Sequence, residues 1–445
     1  MPRIVIEGAY VATLDPARRE FIGHVVVEGN RIVAVGPGPA PAYDGARIVD
    51  GSGCLVTPGF VNTHQHLYQW VTRGLAADAT LFEWLTTLYP VWARITEETV
   101  YVAARAALAQ LALTGCTTVA DHHYVFPGGD LLAAEIEAAR EIGLRFHPAR
   151  GSMDRGQKDG GLPPDSVVED RDTILTATED AIDRWHDPSP DSMLQIVVAP
   201  CSPFSVSGEL MRESAELARR RGVRLHTHLA ETTDETSWCR ETYGCTPLEY
   251  ADRLGWTGPD VWFAHGIHFD DAEIKHLGGT GTGVAHCPSS NARLGAGIAR
   301  TADLRAAGSP VGLGVDGAAS NESGSLIEEL RHALLFARAR GGPQALTVRA
   351  ALEMATLDGA RILGRSADIG SLEPGKLADL ALWNLTTLPH AGLPDPVAAL
   401  ALATPPPLAL LLTNGRPVVE HAILQTADAA TLASAAARIQ AALVG

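Results

Sequence analysis

Residues 60–69 read FVNTHQHLYQ and run on from the apolar stretch GCLVTPGF (53–60), so His64 and His66 stand two apart where an apolar strand ends. Side chains alternate along a strand, which sends both imidazoles to one side. Such a pair can be core, a proton relay or half of a metal site, and taken alone it leaves those readings open. The rest of the chain decides between them.

From this point to about residue 370 the sequence repeats apolar strand, loop and amphipathic helix. Eight segments read as strands: VTPGFVNTHQH, CTTVADHHY, LRFHPARGS, LQIVVAPCSP, VRLHTHLAE, DVWFAHGIH, GTGVAHCPSS and PVGLGVDGAAS. Helical stretches such as TEETVYVAARAALAQLALTG (96–115) separate several of them. The count predicts an α/β fold, a (β/α)8 TIM barrel over 56–370, although pattern alone leaves an open doubly wound sheet standing. Residues 1–55 alternate with period two and turn at Gly29-Asn30, and 371–445 opens in the same way. Both ends are predicted to pair into one small β-sandwich domain, with DAATLASAAARIQAALVG (428–445) as a closing helix. The glycines of GGTGTGVAHCPSS (278–290) precede a strand rather than open a helix, so they are not a dinucleotide fingerprint.

Polar residues gather at the ends of the candidate strands, where such barrels carry their chemistry. RLHTHLAE (224–231) repeats the spacing with His226 and His228 and adds Glu231. FAHG carries His265, GVDG carries Asp316, and the second strand offers His122 and His123. So many strand ends bearing imidazole or carboxylate favour coordination over accidents of packing. Borderline divalent metals take neutral imidazole nitrogen and carboxylate oxygen, and three histidines plus a carboxylate leave a position for water. His64, His66, His228 and Asp316 supply that set, with zinc the expected ion and ferrous iron or manganese compatible with the same residue types. Such an ion depresses the pKa of bound water, which hydrolysis at neutral pH requires. His226 lies one layer deeper on the same strand face and reads as structural.

The 445-residue chain is 46% hydrophobic and 20% charged, with a formal net charge of −17. This is the composition of a soluble enzyme, and its acidic excess argues against nucleic acid and for a small-molecule partner. Cys54, Cys116, Cys201, Cys239, Cys245 and Cys287 are scattered without a CxxC pair, as expected of reduced thiols in a cytoplasmic protein. No charged region followed by a long apolar core opens the chain, and PVAALALATPPPLALLL (396–412) is broken by three prolines. Neither a signal peptide nor a membrane span is expected. The sequons at Asn321 and Asn384 read as chance matches.

In order, GFVNTHQH, HTHLAE, AHG, HCPSSN and GVDG resemble the motifs of the amidohydrolase superfamily, and GSLEPGKLADLALW (370–383) is similar to its flanking sandwich. The resemblance implies that metal number depends on a lysine, usually carboxylated, at the end of the fourth strand. The chain holds Lys158, Lys275 and Lys376, none of them in LQIVVAPCSP (194–203), so one ion is expected, as in the purine- and pterin-directed deaminases. The resemblance also implies that Glu231 passes a proton to a ring nitrogen of the substrate and that His265 orients or polarises the attacking water. It further implies that Asp316 both binds the ion and takes the water's proton, and that the protein is a homodimer. The PCxxC signature of the Cys/His zinc deaminases is absent. His286 and Asn291 serve the seventh-strand loop or brace it.

An amine leaving an aromatic carbon calls for a pocket that reads a flat polar heterocycle. Gln69 offers both an amide donor and an acceptor, and guanine deaminases resemble this chain in carrying Gln there. Trp84 lies in a segment similar to theirs, although a tryptophan on an apolar helix is commonly core. Cys201 stands where those enzymes place an arginine. His122 or His123 faces the substrate. The segments DHHYVFPGG, RFHPARGSMDRGQKDGGLPPD and GTGVAHCPSSNARLGAGIA look instead like 8-oxoguanine deaminases, which convert 8-oxoguanine to urate and ammonia. Arg150 or Arg155, in a Gly-rich insertion after the third strand, reaches the substrate or stays solvated. Gly266 and the bulky Trp70 depart from that pattern. An s-triazine hydrolase, or another guanine or pterin deaminase, is the alternative. A non-catalytic binding protein on the same fold is a distant one.

Overall fold

The computed structural model describes residues 3–445. Five strands come first: β1 (Ile4–Ala12), β2 (Glu20–Glu28), β3 (Arg31–Pro37), β4 (Arg47–Asp50) and β5 (Cys54–Pro58). Eight follow at the predicted places: β6 (Phe60–Asn62), β7 (Cys116–His123), β8 (Arg145–Ser152), β9 (Val197–Pro200), β10 (Arg224–Leu229), β11 (Val261–His265), β12 (Gly283–His286) and β13 (Val311–Leu313). These close into a parallel barrel, β13 returning to β6 through the Leu313–Asn62 pairing. The last four are β14 (Leu380–Asn384), β15 (Leu408–Thr413), β16 (Arg416–Glu420) and β17 (Ile423–Leu424).

Helices cover the barrel for local reasons visible in their ends. Helix Gly208–Arg221 is capped by Ser207, whose side chain accepts the Leu210 N–H, and stops at Gly222 with φ 67°. Arg219, Arg220 and Arg221 fill its last turn, where cations oppose the helix dipole. Its apolar stripe, including Leu210, Met211 and Leu217, is buried.

The two chain ends form one nine-stranded mixed sheet in which β5 pairs with β14. A single apolar cluster takes Val25 and Val27 from β2 together with Leu410 and Leu412 from β15, strands far apart in the pairing order. The sheet therefore curls over and buries one face on itself, which gives sandwich packing from a single sheet. Asn414 and Gly415, both with positive φ, turn β15 into β16. A Cβ on Gly415 would lie 2.0 Å from the Gly29 carbonyl of the β2–β3 turn, so the two turns touch. Sheet and barrel are joined by the fully buried Arg145 guanidinium, which pairs with both carboxylate oxygens of Asp379 at 3.1 and 3.3 Å.

β5 belongs to the sheet and ends at Pro58, so the first junction falls slightly beyond residue 55. The closing helix, Ala429–Val444, packs Leu432, Ala436, Ile439 and Leu443 into the barrel's core, against helix Glu97–Leu113, rather than onto the sheet. All six cysteines are free and buried. Among the described residues no helix is long and apolar enough to cross a membrane.

Candidate metal centre and active site

The loop after β6 carries His64 and His66 over the mouth of the barrel. Asn62 ties it down by donating from Nδ2 to Gln65 Oε1 and accepting the Val315 N–H. Carbonyl oxygens cannot donate, so they fix the ring tautomers. His66 Nδ1 donates to the His122 carbonyl at 2.7 Å and His228 Nδ1 to the Cys201 carbonyl at 2.7 Å. His226 Nδ1 donates to the Trp262 carbonyl at 3.0 Å, so its Nε2 accepts from His64 Nδ1 at 2.8 Å. Each of His64, His66 and His228 thus presents a bare Nε2 lone pair to the same space.

The spacing between these donors tests whether an ion fits. His64 Nε2 and His66 Nε2 lie 3.3 and 3.4 Å from Asp316 Oδ1, and His66 Nε2 lies 3.2 Å from His228 Nε2. Bonds of about 2.0–2.1 Å in a tetrahedron separate neighbouring ligands by about 3.3 Å. Two bare imidazole nitrogens do not approach so closely for any hydrogen bond of their own, and His64 Nε2 is buried without a hydrogen-bond partner. The predicted ligand set fits a divalent ion. The end of the fourth barrel strand carries Pro200 and Cys201 and no lysine.

Electrostatics agree with ligation. Burial pushes all three imidazoles down, His66 to about 3, which keeps them in the neutral form that binds metals. Burial alone pushes Asp316 up, but the neighbouring His64 and His265 imidazoles outweigh it and hold the carboxylate well below its usual range. Glu231 is pushed up to about 7, chiefly by burial. Burial pushes His265 down, yet Glu231 and Asp316 overcome this and raise it. His265 Nδ1 donates to Asn291 Oδ1 at 2.9 Å, leaving Nε2 3.5 Å from Glu231 Oε2. His265 and Asp316 have φ of 71° and 62°. Non-glycine residues in that region store about 1–3 kcal/mol and concentrate at functional sites.

A cavity of about 50 Å³ opens beside this cup. His66, His228, Glu231, His265 and Asp316 form its polar side, and Leu81, Trp84, Leu85 and Leu294 cover it. Trp84 spends its indole N–H on the Ala319 carbonyl at 3.1 Å. Cys201 also lines the cavity as a neutral thiol, pushed by burial to about 12. Gln69 does not line it: the side chain is wholly buried against Gly317, where a Cβ would come within 1.8 Å of Oε1, and both amide atoms lack partners. His122 points into the barrel below the cavity, stacked on His228 at 4.8 Å, while His123 faces outward to Glu135. Arg150 pairs with Glu169, Arg155 bonds the Tyr243 hydroxyl, and neither reaches the cavity. His286 is buried and lies off the cavity. Sequence reasoning assigned neither the Asn291 contact to His265 nor Ser320, whose hydroxyl is 3.4 Å from Asp316 Oδ2.

Comparison with known proteins gives the family. An 8-oxoguanine deaminase from Pseudomonas aeruginosa is 52% identical over 385 residues, covering 85% of this chain and 86% of that protein. An isoxanthopterin deaminase from an unknown prokaryotic organism is 38% identical, covering 96% and 93%. The crystal structure of an atrazine chlorohydrolase from Arthrobacter aurescens complexed with zinc superimposes with a TM-score of 0.94 at 34% identity, covering 98% of this chain and 100% of that one. The sequence profile of the amidohydrolase family matches residues 55–418, and with barrel and relatives in agreement the chain belongs to that family.

Proposed function

We propose that this protein is a metal-dependent hydrolytic deaminase of a purine-like heterocycle, and that its substrate is 8-oxoguanine, converted with water to urate and ammonia. The observation that carries this reading is the gathering of bare imidazole nitrogens at one carboxylate, His64 and His66 Nε2 at 3.3 and 3.4 Å from Asp316 Oδ1 and His228 Nε2 at 3.2 Å from His66 Nε2, with the Glu231 carboxyl, raised by burial, lining the cavity beside them. The 52% identity to an 8-oxoguanine deaminase supports the choice of substrate.

His64, His66, His228 and Asp316 would hold one divalent ion, taken as zinc because the zinc-complexed relative shares the fold. When bound, the ion supplies Lewis acidity that makes water nucleophilic at neutral pH. The chain's own groups move the protons. Asp316 Oδ2, beside the Ser320 hydroxyl, receives a proton from the attacking water, and His265 Nε2 orients that water. Glu231 gives its proton to the ring nitrogen next to the carbon under attack. The carbon–nitrogen bond to the exocyclic amine then breaks as the amine takes the proton held by Asp316 and leaves as ammonia, and the hydroxyl on the carbon gives its proton to Glu231 as it becomes the carbonyl of the product. Leu81, Trp84 and Leu85 exclude bulk water. Cys201 lines the wall as an uncharged, weakly donating surface suited to a ring edge.

A triazine reading has its own support in the zinc-complexed structure and in a hydroxydechloroatrazine ethylaminohydrolase of Pseudomonas that is 38% identical over 83% of this chain. A panel of 8-oxoguanine, guanine, isocytosine, isoxanthopterin and aminotriazines, assayed by ammonia release, separates the two. Fastest turnover of 8-oxoguanine, with urate formed, is expected. Turnover of triazines alone moves the substrate assignment and leaves the chemistry in place. A preparation inert toward all of them and free of metal points to a silent scaffold.

A further inference from the structure

A second group of buried ligand-type side chains lies behind β7, away from the cavity. Alternation along the strand sends His122 inward and Asp121 and His123 outward, toward Glu135 on helix Leu131–Ile142. His123 and Glu135 are wholly buried and Asp121 is 2% exposed. His123 Nε2 faces the Val125 carbonyl at 2.8 Å, so it carries the proton, and Nδ1 faces Glu135 Oε1 at 2.7 Å. Asp121 Oδ1 accepts the Leu67 backbone N–H at 2.6 Å. Asp121 Oδ2 and Glu135 Oε2 are buried without a hydrogen-bond partner, and ligand-type atoms of Asp121, His123 and Glu135 all lie within 4.8 Å of one another.

Two carboxyls and an imidazole so enclosed need either a cation or shared protons. Spacing favours protons. Ligands of one ion stand about 3.3 Å apart at the bond lengths of zinc, as they do around Asp316, whereas 2.7 Å is a hydrogen-bond distance. Two protons, one in each gap, leave the cluster neutral, as burial demands.

The consequence falls on His66. Three consecutive residues of the ligand loop are tied to the end of β7: the Gln65 carbonyl accepts the His122 N–H, His66 Nδ1 donates to the His122 carbonyl, and the Leu67 N–H donates to Asp121. In the first two, the partner on β7 is backbone, which no substitution there removes. The third depends on the Asp121 side chain, which Glu135 and His123 hold in place. We propose that Asp121 is a positioning residue for the metal ligand His66, gripping Leu67 through a proton-bridged Asp121–Glu135–His123 chain. This inference rests on the metal reading of the His64, His66, His228 and Asp316 cup.

The test measures zinc affinity against a competing chelator for wild type, Asp121→Asn and Asp121→Ala, with metal content per chain and thermal melting recorded alongside. Asn keeps an oxygen for Leu67 and offers an N–H to Glu135 where a shared proton stood, so Asp121→Asn should hold zinc as wild type does. Asp121→Ala should weaken zinc binding by about 10–100-fold, the usual loss when a partner behind a ligand is removed. A folded Asp121→Ala that keeps wild-type zinc affinity makes the contact merely structural and overturns the proposal. Loss of zinc in Asp121→Asn overturns it too, as does a wild type with two ions per chain that drops to one in that variant. If Asp121→Ala yields no soluble protein, Asp121→Asn decides alone, retained zinc supporting the proposal and lost zinc refuting it. A wild type that binds no metal removes the metal reading itself, a failure distinct from these.

Discussion

Replacing Glu231 with Gln isolates the proton transfer from the rest of the site. The Glu231 carboxylate lines the cavity, and its nearest polar neighbour is His265 Nε2 at 3.5 Å, so it tethers no backbone. Glu235 fixes the backbone beneath it, Oε1 accepting the Ala230 N–H and Oε2 the Glu231 N–H, each at 3.0 Å. Gln fills the same volume and leaves all four ligand residues alone. Metal content and melting temperature should therefore match wild type, while turnover falls by the share of a general acid, about 10²–10⁴-fold. That fall equals roughly 2.7–5.4 kcal/mol at ~1.36 kcal/mol per decade.

The pH profile carries the sharper half of this prediction. Burial raises Glu231 to about 7, so the proton it donates is present below that value and lost as pH rises through it. A cation in the cup favours the carboxylate and shifts the loss to lower pH. kcat/KM should fall on the alkaline side in wild type, and the residual rate of Glu231→Gln should lack that limb. Ammonia release measured across the pH range checks both. A variant with turnover within a few-fold of wild type, or one that keeps the alkaline limb, would refute the assignment of Glu231 as the acid.

Three other substitutions probe different parts. His228→Ala removes a ligand whose Nε2 sits 3.2 Å from that of His66, and should lose metal and activity together, as chelation should in wild type, with added zinc restoring only the latter. Asn291→Leu strands the His265 Nδ1–H, a buried donor whose loss of a partner costs about 1–3 kcal/mol; kcat should drop roughly tenfold to a hundredfold with KM little changed, and unchanged kcat would mean that the tautomer of His265 needs no support. Asp379→Ala leaves the buried Arg145 unpaired at the far end of the barrel and should cost about 3–5 kcal/mol, read as a lower urea midpoint with normal metal content in the folded protein.

Local spacing made the barrel and the cup legible. His226 and His228 stand two apart on β10 and so share a face, and residues just past other strand ends, His64 and His66 after β6 and Asp316 after β13, lie near the same axis once the barrel closes. What stayed hidden was set by contacts between distant segments. Asn291 stands in a turn-rich motif, and nothing local shows that its Oδ1 meets His265. His226 was legible as a deeper residue on the strand, but its hydrogen bond to His64 depends on the separation of β6 and β10 across the barrel. Gln69 follows the strand in a short 3-10 helix, Leu67–Thr72, where strand alternation no longer predicts the direction of a side chain. Alternation did separate His122 from His123 once Asp121 was seen to share the outer face with His123.

Why the ligands gather at this end follows from the backbone. In a parallel barrel each strand's final carbonyls run past its neighbour's ladder, so the mouth holds acceptors that strand pairing does not use. His66 takes the His122 carbonyl at the end of β7, and His228 takes the Cys201 carbonyl just beyond β9. In both cases the acceptor belongs to a strand adjacent to the one carrying the ligand. The ladder that closes the barrel thereby decides which ring nitrogen is protonated, and leaves Nε2 bare without a dedicated side chain. His64 is the exception: it is served by His226, which borrows its own acceptor from Trp262 on β11. A sequence needs to supply imidazoles at the right strand ends, and the fold supplies their tautomers. His265 is the ring at the mouth that relies on an amide side chain instead, a partner set by a contact between distant segments.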